Sequence, residues 1–399
     1  MLTMLLPHHP LAVLLCFTLA AQSTIAAPFT PTDDQQVLER VPVRAGNPRA
    51  RELQALREAV RREPRNADAA ARLAERWIED ALAEGDPRYV GYAQAALTPW
   101  WNDAAPPPPV RVQRAVVNQY GHRFNEALAD LSAVTAAEPE NASAWAWQAA
   151  IHMVRADYAA ARAACDGLAP LTTLLTATAC ASYVDSLTGG AAQAASELGD
   201  ALGLGDKDTA PEERVWALTR LAEIEERRGE FAAAEAAFRE AQALNVADVY
   251  LLSAHADFLL DRGRAADVLA LLKDRGRADV ILLRLALAAK AANDPRAAQW
   301  ANELSARFDA ARARGDRTHE KEDSRFALAL LGDAARALSL ARSNLGQEQR
   351  EAADMRVLLE AALAARSREA AAPVLQWLAA NKVESVALRA LAERVKALP

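Results

Sequence analysis

The residues of this chain best suited to chemistry are six histidines, three cysteines and an adjacent tryptophan pair, Trp100-Trp101. His8 and His9 stand near the N-terminus, and His122, His152, His255 and His319 are scattered through the rest. A helical metal site needs two ligands one turn apart, and no two of these four are so spaced. No Gly-x-Ser-x-Gly elbow, phosphate-binding loop or dinucleotide glycine fingerprint occurs, and Gly203-Leu-Gly205 is only a loop fragment. Cys165 and Cys180 have no histidine or basic cluster close in sequence to favour a thiolate nucleophile. These residues predict a chain that is no enzyme and holds no metal or cofactor. Trp100-Trp101 sits in a proline-rich stretch. It is either a partner's anchor or a plug that packs on neighbouring helices and pins the loop.

The elements that must position these residues are helical. Hydrophobic residues make up 52% of the chain and aromatics only 6%, with Ala supplying much of the apolar count. Ala, Leu, Arg and Glu are strong helix formers, and the sparse Gly and Pro fall mostly between apolar-periodic stretches. Residues 11–21 form an apolar run of signal-peptide length, and Thr24-Ile25-Ala26-Ala27 offers a small-x-small cleavage site after Ala26. Residues 1–10 depart from that pattern by carrying no Lys or Arg, and Leu15 is too large to precede a lipid-attached Cys16. The expectation is a signal peptide at 1–26 and a periplasmic or secreted mature chain. Residues 280–292 are apolar but interrupted by Arg284 and Lys290, so no membrane span is expected after the leader. A net charge of −7 argues against nucleic acid as partner.

Internal periodicity is the strongest signal. From Val215, Leu218, Leu221 and Ala222 are followed by a breaker at Gly229 and then by Phe231, Ala234, Phe238 and Ala241. A start 34 residues later, at Val249, aligns Leu252, Ala256, Leu259, Gly263 and Leu272 with that register, with His255 and Arg275 at two core positions. Upstream, starts at Pro108 and Ala142 repeat it with Ala115, Phe124, Ala127, Leu131 and Pro139, then Trp145, Ala149, Tyr158 and Ala161. The run Gly229-Glu-Phe-Ala-Ala-Ala-Glu-Ala-Ala-Phe resembles the second helix of a tetratricopeptide repeat. Small residues in that repeat sit where its two helices cross, and larger apolar ones fill between helices. Less regular copies start near 67, 173, 279, 318 and 352. The 67 copy has an extended connection at 84–90, and the 318 copy has no clear register.

The resemblance implies an all-α, right-handed solenoid of about eight or nine helix-turn-helix units, with end units as caps. The expected organisation is a poorly ordered segment at 27–48, repeats over 49–202 with a non-helical proline loop at 98–109, a linker at 203–211, and repeats with a cap over 212–399. It also implies a concave face built from first-helix positions. In one unit these read Ser143, Ala146, Ala150, Met153 and Val154. In the units starting at Val215 and Val249 they read Trp216, Thr219, Glu223, Glu226 and Arg227, then Tyr250, Ser253, Asp257, Leu260 and Asp261. The Lys, Asn and Arg of the family's carboxylate clamp are absent. A groove bearing Trp216, Glu223, Arg227, Tyr250 and Asp257 would suit an apolar or basic peptide. In the same register His152 and His255 fall at core positions. Cys165 and Cys180 fall on consecutive antiparallel helices, either bonded, as export permits, or simply two small buried residues. The expected function is a scaffold binding a protein or peptide on the concave face. The alternatives are an envelope assembly or export accessory anchored in a larger complex, and an enzyme framed by a solenoid.

Overall fold

Helix starts are written locally. Asn66, Asn141, Asp157, Thr173, Asp248, Asp333 and Ser385 each precede a helix, and each side-chain oxygen accepts from the backbone N–H three residues on. A cap of this kind contributes about 1 kcal/mol. Gly85 (φ 66°) and Gly229 (φ 91°) close their helices in the left-handed region, which glycine enters without a steric penalty.

The computed structural model describes residues 33, 48–204 and 209–399. The expected leader at 1–26 lies outside the described residues. So do the 27–48 segment, apart from Asp33 and Pro48, and residues 205–208 of the linker. Every described element is helical. In chain order the first are α1 (Pro48–Arg62), α2 (Ala67–Glu84), α3 (Arg88–Ala96), α4 (Pro108–Tyr120), α5 (Phe124–Ala137), α6 (Ala142–Val154) and α7 (Tyr158–Leu168). There follow α8 (Leu174–Asp185), α9 (Ala191–Leu204), α10 (Pro211–Arg228), α11 (Phe231–Ala243), α12 (Val249–Asp261), α13 (Ala265–Leu271) and α14 (Asp279–Ala291). The last are α15 (Ala297–Ala313), α16 (Glu320–Phe326), α17 (Ala334–Gly346), α18 (Ala352–Ala364), α19 (Ala372–Ala380) and α20 (Val386–Lys396). From α2 to α19 they pair in succession, each even-numbered helix packing on the next, which gives an α-solenoid. No described helix is long and apolar enough to cross a membrane.

Residues 51–399 form one compact unit; of 1–50, only Asp33 and the first turn of α1 are described. The repeat register explains the packing within the larger unit. Ala222, Ala234 and Ala241, where α10 and α11 cross, have no exposed surface, and Phe238 fills the space beside them, also fully buried. Phe231 departs from the pattern at 44% exposed. Its ring is covered instead by the Arg262 guanidinium at 3.8 Å. Three local readings change. The connection expected to be extended over 84–90 shrinks to Gly85–Asp86–Pro87, because Gly85 ends α2 and α3 starts at Arg88. Within 98–109, Thr98–Trp100 is a 3₁₀ turn and α4 begins at Pro108, since proline is tolerated in a first helical turn. The 318 copy lacks a clear register because α16 runs into a π-helical turn, Ala327–Leu331, that shifts the 3.6-residue period before Gly332.

The array also returns on itself. Ala149, Tyr158 and Cys165 from the α6–α7 pair share one apolar core with Met355, Leu358, Val374, Trp377 and Leu388 from α18, α19 and α20. Trp377 Nε1 donates to the Tyr158 hydroxyl at 3.2 Å, Arg350 N donates to the Val154 carbonyl at 2.8 Å, and Arg155 pairs with Glu348 at 3.0 Å. On the other side the α2–α3 turn meets α12 and α14. A Cβ added to Gly85 would lie 2.8 Å from Ala278 Cβ.

Candidate binding surface

The expected groove positions come from α10 and α12, and arginine side chains from the returning C-terminal helices reach them. Asp257 receives Arg284 Nη2 at 2.5 Å and both Nη atoms of Arg325 (α16) at 3.0 Å. Burial works against its charge, but the two guanidiniums prevail and hold its carboxyl well below the usual range. Asp261 is gripped by Arg356 of α18 at 2.5 and 2.8 Å. Glu223 accepts from Arg220 at 2.8 Å and from the Tyr250 hydroxyl, and the Arg220 guanidinium lies 4.4 Å from the Tyr183 ring and 4.7 Å from that of Tyr250. Arg227 donates to Ser186 Oγ at 2.6 Å, and Trp216 is half-buried between two apolar cores. Burial, with the Asp261 and Glu223 carboxylates nearby, pushes Glu226 up to about 7 despite Arg262 at 3.6 Å. An open groove is therefore not what these positions build. They form a charge-balanced lattice with the chain's own helices, and of the five named residues only Tyr250 keeps a large exposed fraction, 43%.

The tryptophan pair lies in a loop held by the chain's own side chains. Arg114 (α4) forms a two-pronged pair with Asp130 (α5), 2.7 Å at each contact, and its remaining Nη1 donates to the carbonyls of Trp100, Trp101 and Asp103. The loop is thereby tied down, with Trp100 5% exposed and Trp101 half-buried. Cys165 and Cys180 are joined by a disulfide with Cα atoms 5.7 Å apart, between α7 and α8. His255 stacks on Phe238 at 5.0 Å and accepts from Gln242 at 2.7 Å. Burial drives it down to about 4, so it is neutral at pH 7. His122 faces Gln347 and His152 faces Asp157. The described residues contain no cluster of three or more His, Cys, Asp or Glu that could hold a metal.

A surface that the sequence reading passed over lies on the α2–α3 hairpin. Trp77 stacks on Tyr89 at 5.6 Å and meets Tyr92 at 5.0 Å, while Tyr89 and Tyr92 meet edge-on at 6.1 Å. Tyr92 is 49% exposed, and Trp77 and Tyr89 are half-buried beneath it. The hairpin is short because Gly85 ends α2 and the Asp86 carboxylate accepts from the backbone N–H of Arg88, starting α3. The i, i+3 spacing of Tyr89 and Tyr92 was the available signal, obscured by reading 84–90 as extended.

The helix pairs, with small residues at their crossings and larger ones between, have tetratricopeptide geometry. The fold is tetratricopeptide-like. Neither a family model nor a curated protein matches the sequence. Among solved structures, the human IFIT1 dimer with m7Gppp-AAAA is 14% identical, covering 88% of this chain and 87% of that one at a TM-score of 0.46. A tetratricopeptide repeat protein from Parabacteroides merdae ATCC 43184 is 12% identical, covering 81% and 98% at 0.32. The tetratricopeptide domain of P58(IPK) is 15% identical, covering 88% and 93% at 0.20. At this distance the likenesses carry nothing about partners.

Proposed function

We propose that the chain is a non-enzymatic interaction scaffold whose protein partner docks on the aromatic hairpin of α2 and α3. One observation carries this reading: three aromatic rings gathered on a surface hairpin, with Tyr92 49% exposed. Clustered Trp and Tyr supply large contact areas at low entropic cost, and interface hot spots are enriched in them. The concave face is a poorer candidate, because a partner there would have to displace α16 to α20 from the apolar and ionic contacts they already make. The proposal includes export to the periplasm or beyond. A disulfide between α7 and α8 supports that setting, since such bonds persist in oxidising compartments.

The test is crosslinking capture with three proteins: wild type, Trp77→Ala/Tyr92→Ala, and Glu223→Lys/Tyr250→Ala. Loss of one captured protein in the hairpin variant alone, with unchanged circular dichroism, supports the proposal. Loss in the groove variant alone returns the site to the concave face, and equal capture by all three refutes both. N-terminal sequencing of the mature chain, beginning at Ala27, would support the leader at 1–26.

A further inference from the structure

Beside the hairpin lies a cleft of about 650 Å³, within the size range of specific ligand sites. Its walls are the α2–α3 turn, the start of α12, the turn into α14 and the end of α15. Part of the wall is apolar, contributed by Val249, Leu252, Val280 and Ile281. The rest is charged, and the charges are not evenly matched. Glu84 accepts from the Tyr89 hydroxyl at 3.2 Å, Asp86 from Arg88 at 3.0 Å, and Asp279 from Arg307 at 2.6 Å. Asp316 accepts from the backbone and hydroxyl of Thr318 at 3.0 and 2.7 Å. Each carboxylate on the wall is thus hydrogen-bonded, Asp86 and Asp279 by arginines, Glu84 and Asp316 by uncharged donors. Arg275, Arg277 and Arg314 are exposed, line the same cleft, and their side chains make no ion pair or hydrogen bond among the described residues.

We propose that this cleft binds an acidic peptide segment of the partner, one apolar side chain flanked by carboxylates. The inference rests on the protein-scaffold reading above and names the partner's chemistry. A planar guanidinium fork matches a carboxylate edge, and although Arg277 acts on Asp86 and Arg314 on Asp316, the wall's five arginines outnumber its four carboxylates, which leaves a small local positive excess on a chain of net charge −7. The apolar wall gives the segment's central side chain somewhere to be buried, which a simple salt-bridge patch would lack. The hairpin's Tyr89 directly follows Arg88 of the cleft wall, so one extended segment can touch both.

The test is selection of a random hexapeptide display library on the whole folded protein, beside Arg275→Gln/Arg277→Gln/Arg314→Gln. Wild type should enrich peptides with Asp or Glu on both sides of one apolar residue. A fluorescein-labelled copy of the leading peptide should bind the variant at least tenfold more weakly, and wild type more weakly as salt rises. The three arginines are exposed, so the variant should fold, checked by circular dichroism. Enrichment of non-acidic peptides, or equal binding by the variant, overturns the cleft assignment and leaves the scaffold reading standing. Selection of no peptide by either protein counts against both. Arginine-dependent binding of a labelled single-stranded oligonucleotide or of inorganic phosphate, without acidic peptides, also overturns the proposal.

Discussion

Replacing His255 by Leu should make the α11–α13 region less sensitive to acid. His255 is 5% exposed, stacked on Phe238 and hydrogen-bonded to Gln242, and the charged groups around it are Glu235 and Arg239 on α11 and Arg264 and Asp267 around α13. Burial lowers it from 6.5 to about 4. The sign follows from proton uptake. Between those values the unfolded chain binds a proton that the folded chain refuses, so the stability present above pH 6.5 is lost as pH falls towards 4. At about 1.4 kcal/mol per pH unit, lowering the pH to 5 costs wild type about 2 kcal/mol through this residue alone. Leu is the natural replacement because Leu221 holds the same register position one repeat earlier. Repeat arrays open in segments, so the assay is hydrogen exchange of α11–α13 amides at pH 7.5 and pH 5, corrected for intrinsic rates. Wild type should lose about thirtyfold more protection than His255→Leu over that interval. His122 and His152 are present in both proteins and cancel. Equal losses would show that His255 is hydrated or charged in the fold, and the reasoning would fail.

Arg114→Met should lower stability by about 3 kcal/mol, because it strands the buried Asp130 carboxylate and releases the carbonyls of Trp100, Trp101 and Asp103. Urea unfolding reads the loss, and a red-shifted tryptophan emission should accompany it; an unchanged midpoint contradicts the pinned loop. Cys165→Ser/Cys180→Ser, or reduction of the native protein, should cost about 3 kcal/mol for a closure spanning 15 residues. Coincident midpoints with and without reductant would show that the bond adds nothing. Gly167→Ala brings a Cβ to 2.8 Å from the Trp145 ring and should cost about 1–3 kcal/mol. The smaller side chain of Trp145→Leu should make that second substitution nearly neutral, read as a coupling in a double-mutant cycle.

The sequence displayed what is local and withheld what is distant. The helix pairs were legible because Ala222, Ala234, Phe238 and Ala241 recur at a fixed period, and each crossing requires its small residue. Gly229 and the Asn and Asp caps mark helix ends within a few residues of the groups they satisfy. Nothing periodic pairs Tyr158 with Trp377 or Asp257 with Arg325, which meet across long stretches of chain. The position of a groove could therefore be read from the repeat, but not what fills it. The cleft arginines were hidden for the same reason. Arg275 was legible only as a misfit at a core position, and its neighbours Arg314 and the α2–α3 turn are remote in sequence.

The inner face is closed by two kinds of contact, and their magnitudes decide where a partner can act. The ion pairs of Arg325 with Asp257 and Arg356 with Asp261 are partly buried, with side chains 21–33% exposed, so the attraction within each is largely offset by the cost of desolvating its charges and the net contribution is small. They fix the register of the returning helices more than they hold them. The apolar seam is different. Met355, Leu358, Val374 and Leu388 are each at most 2% exposed, and fully burying one such side chain contributes roughly 1.5–3 kcal/mol. The seam therefore outweighs the pairs severalfold. A partner seeking the inner face would have to replace that burial with its own, while the α2–α3 hairpin and its cleft offer aromatic surface and unpaired guanidiniums at no such cost. Salt should accordingly weaken binding at the cleft while leaving the α18–α20 amides protected. Two responses that separate in this way would place recognition outside the superhelix and structure within it.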